Sequence, residues 1–254
     1  MYRFLLRPKW IGFHLLVVGG IVAMVNLGLW QLRRLDERQA FNAVVEARYD
    51  AQPRPIDEVL VAGVDPDDVE WRPVTATGTY RPDATIRIVN RSQNGFAGDN
   101  VVVPMDLADG RVLLVNRGFL PLGIDLPPVP SGEVTVTGRL RPSQERRTGQ
   151  LSDPAGGVLT EAQRVDIERL APQIGGDVAP MYVDVFASRP SDADVLEPVA
   201  APDLSEGPHL SYAVQWFVFS IAVAVGWVLA VRRSVRTRRR ELTGPPTTEP
   251  QSTR

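Results

Sequence analysis

Two long stretches without a formal charge constrain the fold of this 254-residue chain more than any other feature. The first covers residues 11–32, if the neutral His14 is allowed, and the second covers residues 209–231. About 20 helical residues, each rising about 1.5 Å, cross a hydrocarbon core of roughly 30 Å. We therefore predict two transmembrane α-helices that flank a central domain, residues 33–208.

The residues around the end of each stretch separate a membrane helix from two alternatives. A cleaved signal peptide would end in small residues, but the first stretch leads into QLRRLDER. A buried core helix would not end in six arginines, yet the second stretch is followed by RRSVRTRRR. Both features favour membrane helices that are retained in the mature protein.

The distribution of charge predicts an orientation. Residues 33–208 hold 18 of the 28 basic and 28 of the 30 acidic residues, a net charge of −10. Basic residues flank the stretches at Arg3, Arg7, Lys9, Arg232, Arg233, Arg236, Arg238, Arg239 and Arg240. The positive-inside rule then places the termini, 1–10 and 232–254, in the cytoplasm. We predict a multi-pass plasma-membrane protein with an extracytoplasmic central domain and a tail that is basic and then disordered.

Composition argues against several functional classes. An acidic central domain is unsuited to nucleic acid, and a basic tail beside a membrane helix is explained by contact with the lipid bilayer. The chain has no cysteine, and both histidines lie in or beside the apolar stretches. The central domain therefore lacks the residues of a Ser–His–Asp, Cys–His or zinc site. The carboxylate pair Asp67-Asp68 lies in a proline-rich segment and is interpreted as solvated, so little conventional catalytic equipment is left.

The central segment has the pattern of a β-rich domain. RPVTATGTY and TIRIVN alternate with period two, and NVVVPMDL, RVLLVNRGFL, GEVTVTGRL and MYVDVFAS are rich in β-branched residues. Asp109-Gly110, as a type I′ hairpin dipeptide, and Ser131-Gly132 are predicted to form tight turns. One helix is predicted over residues 160–171. We expect an α+β domain with six or seven, mostly antiparallel strands.

The second stretch opens with a histidine among aromatic residues. In a helix that begins near Ser205, His209, Tyr212 and Trp216 share one side, because successive residues turn by about 100°. Aromatic residues at this depth are expected in any membrane helix. An imidazole flanked by aromatic surfaces is also how proteins present an axial ligand to haem. The sequence leaves both interpretations open.

The first stretch contributes polar and aromatic groups at its two ends. Trp30 and Gln31 fall at the same predicted outer level of the membrane as His209. His14 lies near the inner end and is interpreted as a neutral packing or interfacial histidine.

Five blocks in this order resemble the Surfeit locus protein 1 family, membrane proteins that assist the assembly of haem–copper cytochrome oxidase. The blocks are LGLWQLRRLDER, WRPVTATGTY, VLLVNRGFLP, TGRLRPS and PHLSYAVQWFVF. The resemblance implies an assembly factor, not an enzyme, that binds haem a and helps to place it in the catalytic subunit. Residues 142–180 match no part of the family pattern that we recognise.

The family histidine at the mouth of the second span falls on His209, which the resemblance implies as the ligand of the haem iron. Tyr212, Trp216 and Trp30 would then lie against the ring. The chain departs from the family pattern at Phe119, where tryptophan is usual, and at Pro208, where asparagine is expected.

A haem carboxylate requires a cation, for which Arg117, Arg33 and Arg34 are candidates. The alternative for Arg117 is an ordinary ion pair of a strand. For Arg33 and Arg34 the alternative is a role as interfacial anchors. Two other functions also remain open at this point. One is a resident accessory subunit of the oxidase or of a respiratory supercomplex, and the other is an extracytoplasmic ligand-binding module.

Overall fold

The computed structural model describes residues 5–243 of the chain. Its helices are α1 (Pro8–Arg48), α2 (Ile56–Val59), α3 (Pro66–Val69), α4 (Ile167–Ile174) and α5 (His209–Thr243). Its strands are β1 (Arg54–Pro55), β2 (Pro73–Tyr80), β3 (Ile86–Gln93), β4 (Phe96–Leu107), β5 (Arg111–Pro121), β6 (Glu133–Pro142), β7 (Glu161–Ala162) and β8 (Asp177–Arg189). They form two compact units. Ala43–Asp203 is the β domain, and the chain before and after it is the helical unit.

The helical unit contains two candidate membrane helices. The predicted spans 11–32 and 209–231 lie within α1 and α5, whose most apolar windows have mean hydropathies of 2.0 and 2.1. Little of either window is buried inside the protein, as is typical of a lipid-facing helix. Two such helices flanking a mixed β-rich domain were predicted, and this architecture is confirmed. The tail was predicted to be disordered after Arg240, but α5 continues to Thr243, and residues 244–254 lie outside the described residues.

A glycine allows α1 and α5 to approach closely. A Cβ atom on Gly28 would lie 2.7 Å from a ring carbon of Phe217. Small residues are the usual means by which membrane helices bring their backbones together. Gly28 therefore sets the separation of the two helices at this level.

The β domain is built around a closed sheet. Strand β2 pairs antiparallel with both β6 and β4, so the order β2–β6–β8–β5–β4 returns to β2 and forms a small barrel. Strand β3 extends the sheet beyond β4, and β1 and β7 add short parallel pairings. Within residues 5–243, five of the eight strand pairings are antiparallel, as predicted, whereas β5 and β8 run parallel.

The central strand β5 is buried on both faces. Leu113 and Val115 belong to the core enclosed by the barrel strands, and Val112 and Leu114 belong to a second core. A strand buried on both sides needs apolar residues at every position. This explains why VLLV is a continuous apolar run.

Helix α4 covers the second core, and its predicted bounds, 160–171, are wrong. Residues at the start of that range form β7, which pairs with β3. The helix begins only after Asp166, whose carboxylate accepts a hydrogen bond from the backbone N–H of Arg169. This is helix capping, which sets the first turn. Three residues with helical spacing face the second core: Ile167, Leu170 and Ile174.

Two hairpins differ from the predicted turn chemistry. Asp109-Gly110 does connect β4 to β5, but φ is positive only at Gly110 (89°), so the turn is not type I′. The pair with positive φ at both positions is Asn94-Gly95 (53° and 83°), between β3 and β4. Asn-Gly is the favoured type I′ dipeptide, and the sequence analysis overlooked it.

The predicted tight turn at Ser131-Gly132 is wrong. Strand β6 pairs with β2 and β8, not with β5, so residues 122–132 form a long connection instead of a hairpin. A turn dipeptide does not show which strand the residues after it will pair with.

Candidate functional site

His209 is the first residue of α5, and a hydrogen bond fixes its imidazole. Its Nδ1 lies 2.8 Å from the side-chain oxygen Oε1 of Gln31 on α1. Because Oε1 only accepts hydrogen bonds, Nδ1 carries the proton in this arrangement. In a neutral imidazole Nε2 is then the nitrogen with a free lone pair, and it has no hydrogen-bond partner within residues 5–243. An imidazole oriented through one nitrogen with the other left basic has the usual arrangement of a metal ligand.

The local sequence explains why the helix begins at His209 and not near Ser205, as predicted. Gly207 has φ of +68°, a conformation that ends any helix running through it. Pro208 follows, and its carbonyl accepts hydrogen bonds from the hydroxyl of Ser211 (2.8 Å) and the N–H of Tyr212 (3.1 Å). Proline at this position therefore initiates the helix and places the imidazole at its very start.

The other aromatic residues of the predicted site lie in the same helical unit. In α5, Tyr212 and Trp216 lie about 60° and 20° around the helix from His209, on one side. Tyr212 is 47% exposed, and Trp216 packs edge-to-face on Phe219 with 6.2 Å between ring centroids. Trp30 precedes Gln31 on α1 and remains exposed. The structure thus brings His209 onto Gln31, and it leaves Tyr212 and Trp30 exposed on the same two helices.

Arginines also lie on this part of α1. The guanidinium of Arg34 lies 5.7 Å from the centroid of the Trp30 ring and is paired with Glu37 at 2.7 Å. Arg33 is exposed and makes no ion pair or side-chain hydrogen bond with any residue between 5 and 243. It is therefore the freer of the two cations.

The segment that leads into α5 is tied to α1 by contacts that the sequence analysis did not anticipate. The side chains of Arg38, Gln39 and Asn42 contact, in turn, the Ser205 carbonyl, the Glu206 carboxylate and the Leu204 carbonyl, at 2.9, 3.0 and 2.5 Å. All three donors lie along the polar continuation of α1. They position the chain just before His209.

His14 packs against α5 near the opposite end of the helices. The indole N–H of Trp227 donates to its Nδ1 at 2.9 Å, and the two rings meet at 83°. An indole can only donate, so Nδ1 of His14 carries no proton. The predicted packing role of this histidine is confirmed.

Metal-binding clusters are absent from the described part of the chain. No three His, Cys, Asp or Glu side chains within residues 5–243 converge as a ligand set. Asp67 and Asp68 are exposed in α3, as predicted.

Arg117 lies in the β domain, and the structure gives its guanidinium a carboxylate partner there. Its side chain is fully buried and donates to both oxygens of Asp192, at 2.8 and 2.5 Å. The carbonyls of Pro127 and Pro128 accept its remaining N–H groups, at 3.4 and 3.0 Å. Every guanidinium nitrogen of Arg117 therefore has a hydrogen-bond acceptor. These contacts match the alternative interpretation of Arg117, an ordinary ion pair within the β domain.

The β domain contains a second candidate site, which the sequence analysis did not identify. We call it the arginine cavity. It has a volume of 310 Å³ and is lined by three arginines, Arg91, Arg139 and Arg141, and by the rings of Tyr49, Trp71, Phe119, Tyr182 and Phe186. Asp184 is the acidic side chain in the lining. The β6–β8 register brings these groups together, because Arg139 lies opposite Asp184 and Arg141 opposite Tyr182.

Two arginines of the cavity are stacked on aromatic rings. The guanidinium carbon of Arg139 lies 3.4 Å from the Tyr49 ring centroid and 4.5 Å from that of Phe186. Arg141 lies 3.4 Å from the Trp71 ring centroid. Stacking holds each guanidinium in one plane without using its N–H donors.

The electrostatics of the arginine cavity favour positive charge. Burial raises the pKa of Asp184, although Arg141 and a hydrogen bond from Asn116 oppose the shift. Burial likewise raises the pKa of Tyr182, so this phenol stays neutral. The arginines thus face a carboxylate whose ionisation is disfavoured and a neutral ring.

Trp71 adopts a strained backbone conformation beside the cavity. Its φ is +69°, in the left-handed region that bulky residues avoid. Hydrogen bonds from its N–H to the Leu140 carbonyl (2.9 Å) and from the Leu140 N–H to the Arg72 carbonyl (3.0 Å) hold it there. Strained residues of this kind cluster at binding sites.

Comparisons with known proteins identify the family. Residues 18–221 match the SURF1 family. An uncharacterized SURF1-like protein of Mycobacterium tuberculosis is 31% identical over 250 residues, covering 96% of this chain and 91% of the relative. SURF1-like proteins of Rickettsia conorii and Monosiga brevicollis are 25% and 28% identical, covering 83% and 84% of this chain and 87% and 85% of the relatives. The match includes α1 from residue 18, the whole β domain and the start of α5, so the chain belongs to the SURF1 family.

Proposed function

We propose that this chain is a membrane assembly factor for haem–copper cytochrome c oxidase that assists the delivery of haem a to the catalytic subunit. Membership of the SURF1 family supports a link to oxidase assembly. The observation that carries the haem proposal is the imidazole of His209, held at Nδ1 by Gln31 with Nε2 left basic. In this role the protein binds and positions a cofactor and catalyses no reaction.

The residues around His209 fit haem a. When bound, haem a supplies an iron that accepts an imidazole nitrogen, an apolar ring, and carboxylates that need cations. Nε2 of His209 is the iron ligand, and Gln31 orients it. Tyr212, Trp216 and Trp30 provide aromatic surface for the ring.

The carboxylates are assigned to arginines of α1. Arg33 is exposed and free of ion pairs among residues 5–243, so it receives a carboxylate without first losing another partner. Arg34 already pairs with Glu37. Arg117 is left out of this assignment, because Asp192 and two carbonyls occupy its fork.

The proposal includes a topology in the plasma membrane. Positively charged ends and an acidic middle favour cytoplasmic termini and an extracytoplasmic β domain. The His209–Gln31 pair then lies at the outer end of the two helices. Its partners there are the membrane-embedded subunits of the oxidase and the lipid bilayer.

Deletion and complementation test this function. Deleting the gene should lower membrane haem a, measured by reduced-minus-oxidised difference spectra, together with oxidase activity. Wild-type protein and the matched control His14→Ala should restore both, whereas His209→Ala should not. Normal haem a and normal activity in the deletion strain would refute the proposal. A copy number near one per oxidase after gentle purification would instead identify a resident subunit.

A further inference from the structure

The arginine cavity contains buried donors that lack acceptors. Nε of Arg91 and both Nε and Nη1 of Arg141 are buried without a hydrogen-bond partner among the described residues. Buried N–H groups of this kind cost free energy unless something accepts from them. Both guanidinium groups line the arginine cavity together with that of Arg139, so acceptor oxygens of a ligand there would lie next to them.

The carboxylates near these arginines neutralise them only in part. Asp184 and Glu70 lie 3.7 and 3.4 Å from nitrogens of Arg141, without hydrogen-bond geometry. Asp50 lies 3.7 Å from Arg139 but is 91% exposed, so solvent screens that pair. Burial also raises the pKa of Glu70, as it does that of Asp184. Positive charge is therefore left inside the cavity.

The arginines are held in place before any ligand binds. Arg139 is stacked between two rings and uses only Nε in a hydrogen bond, to the Tyr49 carbonyl at 3.0 Å. Arg141 is stacked on Trp71, whose left-handed backbone is locked by hydrogen bonds. Preorganised donors lose little conformational freedom on binding, which favours affinity.

The wall of the cavity also fits an apolar group. Gln93 ties the loop 197–200 over β3, accepting from the Ala200 N–H at 2.9 Å and donating to the Pro198 carbonyl at 3.0 Å. Val199 and Ala200 of this loop line the cavity together with aromatic rings. A volume of 310 Å³ is in the range of sites that bind small organic molecules.

We propose that the arginine cavity binds a small soluble anion in which a carboxylate or phosphate is attached to an apolar group. The oxyanion accepts hydrogen bonds from Arg139, Arg141 and Arg91, for which guanidinium forks are well matched. The apolar part lies against Trp71 and Phe186. This site belongs to the β domain alone and stands independently of haem binding at His209.

Calorimetric titration of the full-length protein in an uncharged detergent tests the proposal. The probes are benzoate, phenyl phosphate and, as a neutral counterpart, benzyl alcohol. At least one anion should bind saturably at one site per chain, and benzyl alcohol should bind at least about tenfold more weakly. Comparing the two anions tells which oxyanion is preferred.

Variants assign the binding to the cavity. Arg139→Gln and Arg141→Gln should each weaken anion binding at least about tenfold. The control Arg54→Gln removes an equal charge from an exposed pair with Glu58 and should stay within about twofold of wild type. Near-UV circular dichroism reports whether each variant is folded. If Arg141→Gln does not fold, the affinity of Arg139→Gln for the anion tests the proposal. If neither variant folds, the test is the difference between the affinities of the wild type for benzoate and for benzyl alcohol.

Three results would overturn the proposal. One is the absence of saturable binding of either anion up to about 10 mM. The second is binding of benzyl alcohol as tight as that of the anions. The third is a loss in Arg54→Gln equal to that in Arg139→Gln, which would mean that the overall charge of the protein, and not the cavity, attracts the anion.

Discussion

Replacing Arg117 with glutamine separates the two roles open to this residue. The sequence suggests it as a partner for a haem carboxylate, whereas the structure buries it in the β domain against Asp192. If the ion pair is its role, Arg117→Gln should destabilise the β domain. Membrane haem a should then fall only as far as the amount of folded protein falls.

The magnitude follows from burial and from the number of broken contacts. The Arg117 side chain is 0% exposed and that of Asp192 15%. Removing one partner of a buried ion pair costs about 3–5 kcal/mol, because the other charge is left without compensation. Two carbonyls, of Pro127 and Pro128, also lose their donor. For a domain of this size the cost corresponds to a fall in Tm of at least about 6 °C.

This change in Tm is measured by heating the full chain in detergent and using its sensitivity to protease to detect unfolding. Arg54→Gln is the control, since it removes an exposed ion pair, and it should shift Tm by no more than about 2 °C. Arg117→Met combined with Asp192→Leu should recover part of the loss, because no charge stays unpaired. If Arg117→Gln unfolds like the wild type while haem a falls, the ion-pair account is wrong and Arg117 serves the cofactor.

Three further expectations concern packing, a turn and a titration. Gly28→Ala should weaken α1–α5 association, measured by crosslinking of the helices, and Phe217→Ala should restore it by removing the clashing ring. Gly95→Ala should lower β-domain stability by about 1–2 kcal/mol in urea, because φ is +83° there. Asp184→Asn should flatten the fall in stability between pH 3.8 and the raised native pKa of Asp184, because in that range the unfolded chain loses a proton that burial keeps on the native carboxyl. An unchanged pH profile in Asp184→Asn would contradict that assignment.

Local patterns were enough for much of the architecture. The two uncharged stretches predict helices within α1 and α5, because length and apolarity are properties of a single segment. Alternation in RPVTATGTY and TIRIVN likewise predicts β2 and β3. The start of α4 was missed although Asp166 is a recognisable capping residue, since the helical pattern was extended too far toward its N-terminus.

Strand pairing and the arginine cavity could not be predicted in this way. The barrel closes only because β2 pairs with strands that are distant in sequence. The cavity depends on the β6–β8 register, since a shift of one residue would turn Arg139 and Arg141 to the other face. The blocks WRPVTATGTY and TGRLRPS supply Trp71 and both arginines, but their meeting is visible only in the fold.

The absorption spectrum of the purified full-length protein, loaded with haem a in detergent, tests the central claim most directly. The wild type and His14→Ala should give the same spectrum of an imidazole-ligated haem. His209→Ala should lose this signature, and Gln31→Leu should weaken haem retention because Nδ1 loses the acceptor that fixes the imidazole. An unchanged spectrum and haem content in His209→Ala would contradict the account and leave His209 as a residue that only ties α5 to α1.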